Sequence, residues 1–361
     1  MNKQNNIEDE IEELGQEFAR AIQSMGDGTE QIIRKAKENP GKTVLAAIGV
    51  YLSYRALKSS GDREEPDIDI YVWDVEHGDC FLIKGPEENI VIDLSQHQNG
   101  FSPSKNIAQH IDEVDTLIIS HPDRDHIEDI LNLYEEFDPS VFVRPKSATK
   151  YLRHKKENVF TDDEYQKITE KYLEITEEKY DSSLDVPLSS ENRNKGLKVK
   201  HHSLSENEIS PPKDLEEYGD DDCPNVNNLS LLTIIEYKGF KLATAGDLKK
   251  KALKKILEKD EVRDDLKGTD VLIAPHHGRK SSYQSELFQT ITPELVLVSD
   301  KSGVDPSQTA TDRYSDKATG KWVESRKDKN ESKKRYCVST RDVGYINLKV
   351  DSDGDFKAFT R

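Results

Sequence analysis

TLIISHPDRDHIEDI, residues 116–130, decides the reading of this chain. Its first half, Thr116 to Ile119, is apolar and β-branched like a buried strand, and Ile127 and Ile130 begin the spacing of a helix face. Between the two, His121, Asp123, Asp125 and His126 place four potential ligands within six residues. At a strand end they project from a tight loop into one small volume. Imidazole mixed with carboxylate suits a pair of borderline or hard divalent cations. A capped turn with incidental histidines would account for this segment alone. It would leave unexplained two matching pieces: LATAGDL (242–248), where Asp247 ends a strand, and DVLIAPHHGRKSS (270–282), where His276 and His277 follow one. Three strand ends carrying metal-competent side chains can converge on one rim of a sheet.

Working outward, the chain beyond Asp67 is a series of short β-rich runs, among them IDIYVWDV, CFLIKG, NIVIDL, SLLTIIEY, FKLATAG and ELVLVS. Helical segments such as IEDILNLYEEF and LKKKALKKILEK separate several of them, an order that implies a layered α/β domain. From about 146 to 225 the sequence is dominated by Lys, Glu and Asp, with a helix predicted over 162–180 and an acidic stretch DLEEYGDDD at 214–222. It reads as a charged insertion.

Five motifs occur in a fixed order: DVEHGD (74–79), HPDRDH (121–126), NNLSL (227–231), AGD (245–247) and PHHGRKSS (275–282). In this the chain, over about 67–361, resembles the metallo-β-lactamase fold superfamily, and within it the branch of the ComEC hydrolase domain and the phosphorylcholine esterases. The resemblance implies an αββα sandwich with one or two divalent ions, Zn2+, Mn2+ or Mg2+, at one edge. It places Asp247 between two metals, Asp125 and His126 on one site, and His121 with Asp123 on the other. His277 is expected as a ligand and His276 behind it, because in an extended segment neighbouring side chains point apart. Asp93 would orient a ligand histidine. Many members have another ligand histidine near Asn227, and its absence here suggests an oxygen-rich or weakly held site.

Asp123 or Asp125 would position the attacking water. Arg279, Lys280, Ser281 and Ser282 are candidates for phosphate oxygens, with a solvated turn capped by Ser282 as the plain alternative. His77, inside DVEHGD, is a candidate neighbour of the metals. His201 and His202, in the insertion, are candidates for the missing ligand, while Trp73 reads as core. Arg124, Glu128, Asp129 and Arg279 depart from the pattern of the branch.

The 361 residues carry 52 Lys plus Arg against 70 Asp plus Glu, a net charge of −18, which argues against indiscriminate coating of nucleic acid or anionic lipid. A local basic groove can still hold a phosphate chain. The stretch 321–335 has seven Lys or Arg against three acids. Cys80, Cys223 and Cys337 are too far apart for a disulfide framework or a cysteine zinc cluster. The polar, acidic start MNKQNNIEDEIEE is unlike a cleavable signal. Two amphipathic helices are expected over 7–37, followed by an uncharged run of twelve residues, 43–54, short of the about 20 that span a bilayer. Residues 1–60 therefore read as a helical extension that associates with a protein partner, a second copy or a membrane surface, and SSGDREEPD (59–67) reads as a linker. The setting expected is cytoplasmic, with membrane association left open.

The function expected is metal-dependent hydrolysis of phosphodiester bonds in DNA or RNA. Hydrolysis of a small phosphodiester, such as a cyclic nucleotide or a phosphorylcholine ester, is the alternative. A non-catalytic regulatory protein of the same fold is the third reading, against which the retained ligand cluster argues: buried carboxylates are costly without a cation.

Overall fold

The computed structural model describes residues 67–97, 99–158, 162–180, 197–209, 226–301, 303–327 and 331–361. The expected N-terminal helices, the apolar run 43–54, the linker before Asp67 and the acidic stretch 214–222 lie outside the described residues.

Strand β1, Ile68–Val72, sets the pattern: Ile68, Ile70 and Val72 are buried, and Asp69 and Tyr71 face the other way and are half-buried. β1 pairs antiparallel with β2 (Phe81–Lys84), which pairs antiparallel with β3 (Asn89–Ile92); β4 (Thr116–Ile118) and β5 (Val141–Val143) continue the sheet in parallel. A second sheet is built on β6 (Leu197–His202), β7 (Leu232–Tyr237), β8 (Phe240–Thr244), β9 (Val271–Ile273) and β10 (Leu295–Val298). The chain then returns to the first sheet through β11 (Lys321–Ser325) and β12 (Ser332–Arg335). β13 (Cys337–Ser339) closes the second sheet, and β14 (Ile346–Val350) and β15 (Phe356–Thr360) complete the first. The orders are β12-β11-β15-β14-β1-β2-β3-β4-β5 and β13-β10-β9-β8-β7-β6.

Alternation along the strands divides the core into three layers. Ile70, Ile83, Ile90 and Ile92 face Leu197, Ile235, Phe240 and Leu242 between the sheets. On the outer face of the first sheet, Leu82, Val91 and Leu117 meet Ile107, Ile127, Ile130 and Leu133 from helices. On the outer face of the second, Ile234, Leu272 and Val296 meet Leu253, Ile256, Val262 and Leu266. The result is a helix-sheet-sheet-helix sandwich, the αββα architecture expected. Each fully buried Ile or Leu contributes about 1.5–3 kcal/mol, and this middle layer, rather than any hydrogen-bond ladder, holds the sheets face to face.

The segment 146–225 enters the domain further than its charge suggests. Residues Asp163–Glu174 form a helix whose first turn is capped by Asp162, which accepts from the N–H groups of Glu164 and Tyr165, and Tyr165, Ile168 and Tyr172 pack on the first sheet. The helix loosens into a wider π turn at Ile175–Lys179. Leu197–His202 is the edge strand of the second sheet, with Leu197 and Val199 buried between the sheets. Among the described residues of this segment, the charged side chains lie on the outer face of elements whose inner face is apolar. Among the described residues no helix is long and apolar enough to cross a membrane.

The runs β3-β4-β5 and β8-β9-β10-β13 are parallel. Their carboxyl ends therefore gather loops at common edges, where α/β proteins place ligands.

Candidate metal centre

After β4 the chain turns through Pro122, and Asp123 leads into the short helix Arg124–Ile127. His121 and His126 are buried completely, with ring centroids 4.1 Å apart. Beneath the loop, Asp93 takes up a left-handed backbone, φ 57°, that turns its carboxylate inward. It accepts from the Ser120 N–H (2.7 Å) and hydroxyl (2.8 Å) and from His126 Nδ1 (2.9 Å). That contact fixes the His126 tautomer and aims Nε2 at the centre, as carboxylates behind metal-ligating histidines do.

Asp247 follows β8 and lies at the centre of the cluster. Its Oδ1 is 3.5 Å from His126 Nε2 and 3.5 Å from His277 Nε2. Its Oδ2 is 3.6 Å from His276 Nε2, 4.0 Å from His121 Nε2 and accepts from Asn227 Nδ2 at 3.2 Å. Asp125 Oδ2 is 3.5 Å from His277 Nε2, and Asp123 Oδ2 is 3.7 Å from His121 Nε2. The two oxygens of one carboxylate thus face two donor groups: Asp125, His126 and His277 on one side, His121, Asp123 and His276 on the other.

His276 is not set behind His277; both imidazoles reach Asp247. The segment after β9 is not extended: His276 (φ 50°, ψ 53°) and His277 (φ 54°, ψ 34°) are consecutive left-handed residues. Alternation applies only to extended backbone, whereas a helical step turns successive side chains by roughly 100° and lets neighbours share a target. Two such residues cost about 1–2 kcal/mol each, strain of the kind found at functional sites.

Three further groups surround this core. Asp79, the last residue of DVEHGD, is buried with Oδ1 3.8 Å from His277 Nδ1, and burial pushes its carboxyl up to about 7. The motif was legible, but nothing local marks Asp79 as the neighbour of a histidine 198 residues on. His77 packs against His277 with ring centroids 4.4 Å apart and the rings tilted by 53°, its Nε2 3.5 Å from Asp125 Oδ2. Its Nδ1 accepts from Arg279 Nη2 at 3.3 Å; arginine can only donate, so a neutral His77 carries its proton on Nε2, toward Asp125. Arg279 also donates to the buried Asp300, which Arg341 engages on its other oxygen.

Of the residues proposed for phosphate oxygens, Lys280 and Ser281 are exposed, and Arg279 is engaged as above. Ser282 is buried with Oγ 3.1 Å from His276 Nδ1, where it orients that ring. His201 and His202 lie on β6 against Thr233 and Asp265 and do not join the cluster. Trp73 is core, bonded to Asn106.

The donor set fits divalent ions. His121 Nε2, His126 Nε2, His277 Nε2 and Asp247 Oδ1 are buried without a hydrogen-bond partner, a costly state for polar atoms unless a cation is their partner. Donor atoms of Asp125, His126, Asp247 and His277 all lie within 4.8 Å of one another. Ligands about 2.1 Å from a tetrahedral ion stand about 3.4 Å apart, and the three 3.5 Å contacts of this group have that spacing.

Electrostatics point the same way. Burial alone would depress His126 and His277; the facing carboxylates, Asp93 and Asp247 for His126 and Asp247 and Asp125 for His277, hold both well above the ordinary value. Burial would raise Asp247, yet His277 and His126 hold it well below the carboxylate range. Without metal the two imidazoles therefore hold a proton more tightly than an ordinary histidine, and ligation must expel it. Metal binding to chelator-treated protein should release one to two protons at pH 7 and weaken about tenfold per proton for each unit the pH falls. Calorimetry of the metal titration in buffers of different ionisation enthalpy measures this; a buffer-independent heat would contradict it.

Residues 73–206 match the family model of the metallo-beta-lactamase superfamily. The chain carries the metallo-β-lactamase fold. It is similar to ComE operon protein 3 of Bacillus subtilis (strain 168), 24% identical over 265 residues, which cover 68% of this chain and 29% of that protein. The chain thus spans under a third of that relative's length. Among solved structures, the metallo-beta-lactamase fold protein YhfI from Bacillus subtilis aligns with 65% of this chain and 87% of its own, at 9% identity and a TM-score of 0.34. Igni18, a metallo hydrolase from Ignicoccus hospitalis KIN4/I, aligns with 63% and 81%, at 13% identity and a TM-score of 0.34. The αββα sandwich thus carries a buried cluster of metal-competent side chains at one edge, and residues 73–206 share the model of that superfamily.

Proposed function

We propose that the protein is a metal-dependent phosphodiesterase that cuts nucleic acid. The observation that carries this reading is the divided carboxylate of Asp247, each oxygen facing its own group of imidazole and carboxylate donors. Divalent ions held there would supply a water acidified toward neutral pH and positive charge for the oxygens of a phosphoryl group under displacement. Asp125, His126, Asp247 and His277 would hold one ion, and His121, Asp123, Asp247 and His276 the other; Asn227, donating to Asp247 Oδ2, steadies the shared carboxylate.

Asp123, Asp125 and His276 are the partly exposed members of the cluster, on the side where a water and a phosphodiester would enter. Asp93 and Ser282 hold His126 and His276 in place from behind, and Asp79 lies 3.8 Å behind His277. His77 presents Nε2–H beside Asp125, within reach of a substrate oxygen. No side-chain nucleophile is required, and Cys80 is buried. The resemblance of the five ordered motifs to the ComEC branch is what favours a polynucleotide over a small phosphodiester.

The test is incubation of the purified protein with single-stranded and double-stranded DNA and with RNA, in Mn2+, Mg2+ or Zn2+, beside the Asp125→Ala, His126→Ala double variant. Metal-dependent cutting that the double variant lacks is the expected result. Metal bound in full, with cutting of bis(p-nitrophenyl) phosphate but of no polynucleotide, would replace the reading with a small phosphodiester.

A further inference from the structure

The hairpin β11-β12 is the outer edge of the first sheet, and β12, Ser-Lys-Lys-Arg, is exposed at all four positions. Alternation turns Lys333 and Arg335 to the same face as Val323. There a cleft of about 840 Å³ opens between the hairpin and β13 with the helix Thr340–Val343. Arg326, Lys327, Lys333, Arg335 and Arg361 line it, against Glu331 and Asp342. Lys333 pairs with Glu331, and Arg326 is bonded to Tyr345 and Asn347. Lys327, Arg335 and Arg361 have no acid within ion-pair distance among the described residues. In a protein of net charge −18 this is a concentrated positive surface.

The opposite face of the same hairpin carries Trp322, 63% exposed, with Lys334 beside it in register, and Tyr336, 43% exposed, its ring over Gly320. Leu131 is the one other large apolar side chain exposed among the described residues. Lysines alone could be explained as guards that keep an unpaired strand edge from pairing with another sheet. Exposed Trp and Tyr beside them cannot, because they make such an edge stickier. A row of cations with two aromatic faces is instead the combination that binds single-stranded nucleic acid, phosphates on the charges and bases stacked on the rings.

Resting on the nuclease reading above, we infer that the β12 edge is a binding track for single-stranded nucleic acid, with phosphates in the cleft against Lys327, Arg335 and Arg361 and bases turned over the edge onto Trp322 and Tyr336. The track adjoins the metal edge: the helix that walls the cleft holds Arg341, which joins Asp300, Arg279 and His77 in one run of contacts to Asp125.

The experiment is binding of a fluorescent 20-nucleotide single strand to the full chain, without added metal, over a series of salt concentrations. Lys327→Glu with Arg335→Glu should weaken binding at least tenfold near 0.1 M salt and flatten the salt slope by about 1.4, two lost phosphate contacts at about 0.7 each. The chain has two tryptophans, and Trp73 is buried, so base stacking should quench Trp322 fluorescence. Trp322→Phe should abolish the quench while losing less affinity than Trp322→Ala. That second series decides the matter even if the charge reversal misfolds, which its metal content would reveal. An unchanged slope together with unquenched fluorescence at saturation would overturn the track. So would hairpin-dependent binding of phosphatidylserine vesicles with none of the oligonucleotide. A protein that binds the strand through the hairpin but cuts no phosphodiester would overturn the nuclease reading and leave the track standing; cutting with an unaltered slope and fluorescence would do the reverse.

Discussion

Asp247→Ala is expected to empty both metal sites at once, with metal per chain, measured by elemental analysis, falling to about a tenth or less of the wild-type value and hydrolysis lost with it. Asp247 is the one residue on both donor groups, so its removal leaves each with one ligand fewer and no shared anion between the two ions. The consequence for the metal-free protein is separate. The carboxylates around His126 and His277 favour their charged forms there, and losing Asp247 leaves any such buried positive charge short of a partner. Removing one partner of a buried ion pair costs roughly 3–5 kcal/mol, so the chelated variant should also melt well below chelated wild type. Asp93→Asn offers the contrast. It keeps a group that can accept from Ser120 but weakens the anchor on His126, and should cost about 10–100-fold in metal affinity without emptying the second site. Asp247→Ala with full metal content would show that the ions do not share this carboxylate.

How much of this centre the sequence exposes depends on how local each relation is. His121, Asp123, Asp125 and His126 are adjacent, so a strand followed by a helix start was enough to group them. Asp247 and the 276–277 pair were legible because each ends a strand, and ordered strand ends converge. What stayed hidden is set by backbone dihedrals and long-range packing. The left-handed pair at His276 and His277 has no signature that an extended segment lacks, and the reading from alternation therefore put His276 behind its neighbour. Ser282 looked like a helix cap or a phosphate contact because its tie to His276 needs that same turn. Asp79 and Asp300 act on residues far along the chain. In the fold, β6 was concealed within a segment dominated by Lys, Glu and Asp, although LKVKHH does alternate. The hairpin 321–335 was visible as charge. Its aromatic face emerges only when register places Trp322 opposite Lys334.

Gly78→Ala should be among the most damaging substitutions of a single hydrogen in the protein. Gly78 sits in DVEHGD at φ 128°, where side chains are strained whatever the space. A Cβ there would lie 2.2 Å from Ser95 Oγ and 2.4 Å from the main-chain oxygen of Asp125. Ser95 could rotate, at the loss of its hydrogen bond to the His77 carbonyl. The Asp125 oxygen cannot move without moving the metal loop, and Gly78 cannot retreat easily because its own carbonyl accepts from the buried Ser299 at 2.6 Å. Backbone strain of about 1–3 kcal/mol and overpacking of a similar size add to a loss on the order of 3–5 kcal/mol. Gly100→Ala separates the two terms: φ is 84° there, but no atom lies within 4 Å of the added carbon, so only the backbone cost of about 1 kcal/mol applies. Chemical denaturation of the two variants measures the difference, and metal titration locates it, since strain relieved by shifting Asp125 weakens the site formed by Asp125, His126, Asp247 and His277 more than it weakens the fold. Equal effects at Gly78 and Gly100 would mean that the loop yields freely, and the glycine would then serve the turn alone rather than the close seating of the metal loop on DVEHGD.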